Sequence, residues 1–99
     1  MDNAEYKISV VIPCYNEERT IKEIYDRLLH IFNSELKEYD YEIIYVDDYS
    51  TDNTREEIRK VCSQNPKVKG IFNARNFGFH RNVFQSYQYA TGDVVFMMF

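Results

Sequence analysis

Three short stretches concentrate the side chains that could do chemistry: PCYNEE from Pro13, DDYSTDNT from Asp47 and NARNFGFHR from Asn73. In the first, Tyr15 offers a flat face and a hydroxyl, and Asn16 and Glu17 offer hydrogen-bonding groups. Asn16 also suits the cap of a following helix. In the second, Asp47 and Asp48 are adjacent and therefore point to opposite sides of an extended chain. One can face a crevice while its neighbour braces the surrounding loops. Acidic residues also favour turns and helix starts, which accounts for Ser50, Thr51 and Asp52 without further function. In the third, Gly78 permits close backbone approach, and Arg75 brings a planar fork of donors that can hold a phosphate. A surface salt bridge explains Arg75 equally well. Carboxylates alone repel phosphate. They fit a ligand whose base or ribose donates hydrogen bonds, or one whose phosphate arrives with a divalent cation. These residues point to a nucleotide-type ligand.

Each stretch follows a short β-branched apolar run, and a helical pattern follows each. Ile8 to Pro13 reads as a strand buried on both faces. From about Glu18 to the mid-thirties, Ile21, Ile24, Leu28 and Ile31 or Phe32 recur as one helical stripe. Glu17 and Glu18 fall at its start, where carboxylates complement the helix dipole. Glu42 to Asp47 is a second strand. A second helix from about Asn53 to Ser63 places Ile58, Val61 and Cys62 on one face. Asp52 or Thr54 can cap it, and Thr54 with Glu57 spells a capping box. Val68 to Asn73 is a third strand. A helical stretch from Phe79 to about Ala90 puts Val83, Tyr87 and Ala90 on one side, and Asp93 to Phe99 is a fourth strand. Alternating strands and helices predict an open α/β fold, with a mostly parallel sheet and helices on both faces. Such sheets take ligands at the carboxyl ends of their strands, which is where all three stretches fall.

Composition sets the outer bounds. Ninety-nine residues suit one small domain, and 44% hydrophobic with 28% charged residues suits a globular one. The net charge of −4 gives no reason to expect nucleic acid. The opening MDNAEYK lacks the basic start and apolar core of a secretion signal, and no apolar run approaches the ~18 residues of a membrane span. Cys14 and Cys62 lie far apart, without metal-ligand spacing, and read as reduced thiols of a cytoplasmic chain. Asp93 falls at the wrong sheet edge, His30 has no partner in sequence, and His80 and Arg81 suit solvated or structural roles. There is no Ser-His-Asp order, Cys/His cluster or Walker loop. A dinucleotide-binding domain needs a glycine-rich turn where PCYNEE stands. A phosphoacceptor domain needs an Asp where the third strand ends in Asn73.

The blocks VVIPCYNEERTI, YVDDYSTDNT, ARNFGFHRNV and ATGD, in that order, resemble those of family 2 glycosyltransferases. The likeness runs from Ile8 to Phe99, and NFG followed by GD is similar to the branch that loads sugars onto polyprenyl phosphates. It implies a nucleotide-sugar-binding α/β domain of the GT-A type. It also implies inverting transfer of a sugar from a nucleoside diphosphate, UDP or GDP, to a polyprenyl phosphate or saccharide. The setting it implies is cell-envelope polysaccharide or glycolipid synthesis, in the cytoplasm or at the cytoplasmic face of a membrane. By the same resemblance Pro13, Tyr15 and Glu17 contact the nucleotide, Asp48 contacts the base and Val46 lines its pocket. The reading of the loops adds Arg75 to these nucleotide-binding residues, with Asp47 and Gly78 in support. The complete enzyme is expected to use Mg or Mn.

Two positions depart from the family pattern. Tyr49 stands where Gly is usual, costing on the order of 1 kcal/mol if the loop needs a positive φ. Ser86 replaces a common Gly. The family's Asp-x-Asp metal motif follows its fourth strand, where this sequence reaches Phe99. The expectation is therefore a nucleotide-binding front part, truncated after the fourth strand. It would hold no catalytic or metal residues and no acceptor half, bind nucleotide weakly and transfer nothing alone. The last strand would invite self-association. The alternative is a non-catalytic module that binds a nucleotide or a partner.

Overall fold

Along the first strand, β1 (Lys7–Cys14), Ile8, Val10 and Ile12 alternate with Ser9 and Val11, so both faces of the strand need cover. The computed structural model describes residues 6–99, and the opening residues read above for a secretion signal lie largely outside that range. The remaining elements are α1 (Ile21–Asn33), β2 (Asp40–Asp47), α2 (Thr54–Gln64), β3 (Val68–Phe72), α3 (Phe79–Ser86) and β4 (Val94–Met97). A 3-10 turn, Tyr87–Tyr89, follows α3. The strands lie in the order β3-β2-β1-β4 and all pairs are parallel.

One face of the sheet carries most of the core. Ile8, Val10 and Ile12 of β1 and Ile43 and Tyr45 of β2 meet Ile21, Tyr25, Leu28 and Phe32 of α1, with Ile58 and Val61 of α2. Burying each such aliphatic chain contributes about 1.5–3 kcal/mol relative to exposure. Tyr45 is fully buried, and its hydroxyl donates to the Ile21 carbonyl at 2.8 Å. The other face is smaller: Val11, Ile44 and Val46, covered in part by Ile71, Met97, Tyr89 and Ala90.

Glu42 ties that second face together. It is 1% exposed. One oxygen accepts from Ser9 Oγ at 2.6 Å and from the Thr91 backbone and hydroxyl at 2.7 and 2.8 Å. The other accepts from Lys69 Nζ at 2.9 Å. One carboxylate thus joins β1, β2, β3 and the entry to β4. Gly92 completes the join, since a Cβ there would sit 2.6 Å from Ser9 Oγ and 2.7 Å from the Lys7 carbonyl.

Several boundaries differ from the sequence reading, each for a polar reason. α1 begins at Ile21 rather than Glu18, after a turn closed by Thr20 N donating to the Glu17 carbonyl at 3.0 Å. Asn16 caps nothing there. Its φ of 52° turns the chain towards the second loop, where its Oδ1 accepts from Thr51 N at 2.9 Å. The Thr54–Glu57 capping box does not form. Thr54 instead donates to Asp52 Oδ1 and accepts from Glu17 N at 2.8 Å, while Asp52 Oδ1 receives Thr54 N at 2.9 Å. The buried side of α3 is Asn82 and Ser86, not Val83 and Tyr87. Tyr87 is 51% and Phe84 80% exposed. Asn82 Nδ2 donates to the Val46 carbonyl at 3.1 Å, and this bond, not an apolar stripe, sets the helix's rotation. β4 is four residues long and pairs with β1 from Ile8↔Val94 to Val11↔Met97. It forms one edge of the described sheet, with Val94 and Phe96 about half exposed.

Candidate functional site

Strand order decides where a ligand can enter. The chain runs outward from β1 to β2 and β3, then crosses back to place β4 on the other side of β1. The crevice beyond the carboxyl ends at such a reversal is the usual ligand position in an open α/β sheet. A hollow of ≈ 430 Å³ lies there, within the 300–1,000 Å³ range of small-ligand sites. The first loop lines it with Pro13, Tyr15 and Glu17, the second with Asp48, and the third with Asn76, Gly78 and Phe79. Cys14, Asn82 and Phe99 complete it.

The two aspartates divide the work of holding these loops. Asp47 is fully buried and turns away from the hollow. It accepts from Ser50 N at 3.1 Å and from the Ser50 hydroxyl, and Arg55 Nε lies 3.4 Å from it. Ser50 Oγ in turn receives Asn16 N at 2.9 Å. Asp47 therefore fixes the first loop against the second.

Asp48 fixes the third. Its Oδ1 accepts from Phe77 N at 2.8 Å and Asn73 Nδ2 at 3.0 Å, and its Oδ2 accepts from Gly78 N at 3.0 Å. Gly78 has a φ of 90°, the left-handed region open to glycine, which aims its N–H at the carboxylate. Behind this contact lies a set of side-chain amides. Asn73 Nδ2 and Gln85 Nε2 each donate to Asn82 Oδ1 at 2.9 Å, and Gln85 Nε2 also donates to Asn73 Oδ1 at 2.9 Å. A carboxylate has about four acceptor positions. Protein donors fill three of Asp48's, which leaves one on Oδ2 for a donor in the hollow.

Other groups are chemically quiet. Burial, with Asp47 and Glu17 nearby, pushes the Cys14 thiol far up, so no thiolate nucleophile stands at the crevice. Among the described residues no three His, Cys, Asp or Glu side chains come together to hold a metal ion.

Two residues expected at the crevice lie away from it. Val46 is fully buried among Val11, Ile44 and Tyr89, because it sits two positions before Asp48 on a face already covered. Only its carbonyl takes part, as acceptor for Asn82. Arg75 is exposed and lays its guanidinium over the Phe77 ring at 4.9 Å, outside the hollow's lining. Conversely, Asn76, Phe79 and Asn82 line the hollow without having been singled out from the sequence. A signal existed: Asn73, Asn76, Asn82 and Gln85 put four amides into thirteen residues, more than a turn requires.

Residues 9–98 match the sequence profile described as glycosyl transferase family 2. The chain belongs to this family. It is 36% identical over 89 residues to the prophage bactoprenol glucosyl transferase homolog of Escherichia coli (strain K12), covering 90% of this chain and 28% of that protein. Among solved structures it resembles S. aureus TarS 1–349 in complex with UDP, with a TM-score of 0.76 and 27% identity over 93% of this chain and 26% of that one. It also resembles glucosyl-3-phosphoglycerate synthase from Mycobacterium tuberculosis in complex with Mn2+, UDP and phosphoglyceric acid. There the TM-score is 0.68 and identity 28%, over 98% of this chain and 34% of that one. The family chain described here thus spans about a quarter of the curated relatives it matches. Its four described parallel strands and three helices are the part of the fold it shares with them.

Proposed function

We propose that this chain is the nucleotide-binding front part of a glycosyltransferase catalytic domain. The complete enzyme would transfer a sugar from a nucleoside diphosphate sugar to an acceptor with inversion. The observation that carries this reading is Asp48, buried and clamped at the reversal point of the sheet with one acceptor position open to the hollow. An N–H on the edge of a base meets that need. Tyr15, 46% exposed at the rim, offers a ring face for the same base, and Pro13 and Glu17 line the same hollow. Gly78 keeps the third loop close without a side chain. Asp47 supports the site through Ser50 and touches no ligand. Arg75 remains a phosphate contact only if its guanidinium leaves Phe77.

The acceptor is a polyprenyl phosphate or a saccharide. The first is favoured by relatives named for bactoprenol and dolichol phosphate. The enzyme works on the cytoplasmic side, and no described helix is long and apolar enough to cross a membrane. Mg or Mn belongs to the complete enzyme, in keeping with the Mn2+ of the Mycobacterium structure. No residue of this chain is assigned a step at the anomeric carbon.

Calorimetric titration with UDP and GDP tests the reading. Saturable binding that falls at least tenfold in both Tyr15→Ala and Asp48→Ala is expected. Binding that is absent, or that survives both substitutions, would sink it.

A further inference from the structure

Charge is divided unevenly along this chain. Fifteen of its sixteen Asp and Glu residues precede residue 61, and none lies between Val61 and Gly92. That acid-free stretch contains Lys67, Lys69, Arg75, His80 and Arg81. Lys67 and Lys69 are engaged with Asp40 and Glu42 at 2.8 and 2.9 Å. Arg75 and Arg81 are exposed. The carboxylate bonded to the third loop, Asp48, is 3% exposed.

The same region carries large apolar groups in water. α3 turns Asn82 and Ser86 towards the sheet, so helical spacing places His80, Arg81 and Phe84 on its outer side, with Tyr87 one turn beyond Phe84. Phe84 is 80% exposed, Phe79 62% and Tyr87 51%. A protein with a net charge of −4 has here a face that is aromatic and cationic together. That pairing suits an anionic bilayer, whose headgroup region takes aromatic rings while its phosphates attract arginine. Nucleic acid fits less well, because two arginines make too small a basic stripe.

We propose that the outer face of α3 docks on an anionic lipid surface, with Phe84 and Tyr87 among the headgroups and Arg81 against lipid phosphate. α3 also supplies Phe79 and Asn82 to the hollow, so the docking face and the hollow share one helix. The inference rests on charge and exposure and is independent of what the hollow binds.

Co-sedimentation of the 99-residue chain with vesicles of phosphatidylcholine alone, or with 30% phosphatidylglycerol, tests it. Binding to the anionic vesicles only, weakened at least tenfold by 0.5 M salt, is expected. Arg81→Glu and Phe84→Ser, singly, should each lower partition about tenfold, leaving the circular dichroism spectrum and nucleotide titration unchanged. Equal partition into both vesicle types, or partition unaffected by both substitutions, would overturn the proposal. So would light scattering that shows a dimer converted to monomer by the same substitutions, since the face would then join two copies. The salt series on the unaltered chain decides even if a variant fails to fold.

Discussion

Replacing Glu42 with Gln should destabilise the domain at neutral pH and progressively less in acid. Burial alone would raise this carboxyl's pKa. Hydrogen bonds from Ser9, the Thr91 backbone and Lys69 outweigh that effect and hold it at about 2, against an ordinary 4.5. At 1.36 kcal/mol for each tenfold change in proton affinity, the difference corresponds to roughly 3 kcal/mol of pH-linked stability. The folded pKa is the lower one, so this stability is complete above about pH 4.5 and is lost as pH falls towards 2. A Gln side chain keeps the shape but must turn an NH2 towards either Lys69 or the Ser9 and Thr91 donors. Leaving such buried donors opposed costs about 2–4 kcal/mol. With a urea m-value of about 1–3 kcal/mol per molar, the midpoint should drop by roughly 1–2 M at pH 7. Urea melts of both proteins at pH 7, 4, 3 and 2 measure the gap directly. A gap under about 1 kcal/mol at pH 7, or one that stays constant down to pH 2, refutes the reasoning.

Two further outcomes follow from the loops. Tyr49 has a φ of 67° and its ring lies 5.6 Å from the Arg55 guanidinium. Tyr49→Gly relieves about 1 kcal/mol of backbone strain and forfeits a cation–π contact worth about 0.5–1 kcal/mol, so its melting temperature should barely move. Tyr49→Val keeps the strain and loses the contact, and should melt several degrees lower; equal melting of the two variants would count against this balance. Asp48→Ala removes the acceptor for Phe77 N, while Gly78 N keeps Asn76 Oδ1 as a second acceptor at 2.9 Å. Hydrogen exchange at the Phe77 amide should then rise at least tenfold while Asn16 and Glu17, held by Ser50 and Thr54, stay protected. Unchanged protection at residue 77 would show that the third loop is held by something else.

Much of this protein is legible along the chain because the physics involved is local. The two-residue alternation of Ile8, Val10 and Ile12 and the helical stripe of Ile21, Leu28 and Phe32 predict the elements, and their alternation predicts a parallel sheet with its loops at one edge. Adjacency alone separates Asp47 from Asp48, and a Tyr in place of Gly flags a positive φ that Tyr49 adopts. Motif order reveals the family, whose shared fold the tertiary structure reproduces. Only the tertiary structure decides which groups these side chains meet. Asn16 finds Thr51 thirty-five residues away, Asp48 finds Gly78 thirty away, and Glu42 finds Thr91 forty-nine away. No local period encodes such pairings. They follow from strands brought side by side, which bury a polar group and oblige it to find a partner. For the same reason α3 hides Asn82 and Ser86 while Phe84 faces water, and Val46 and Arg75 leave the crevice to Asn76 and Asn82. Hydrophobic spacing names the elements; satisfying buried hydrogen bonds sets their rotation and hence the site.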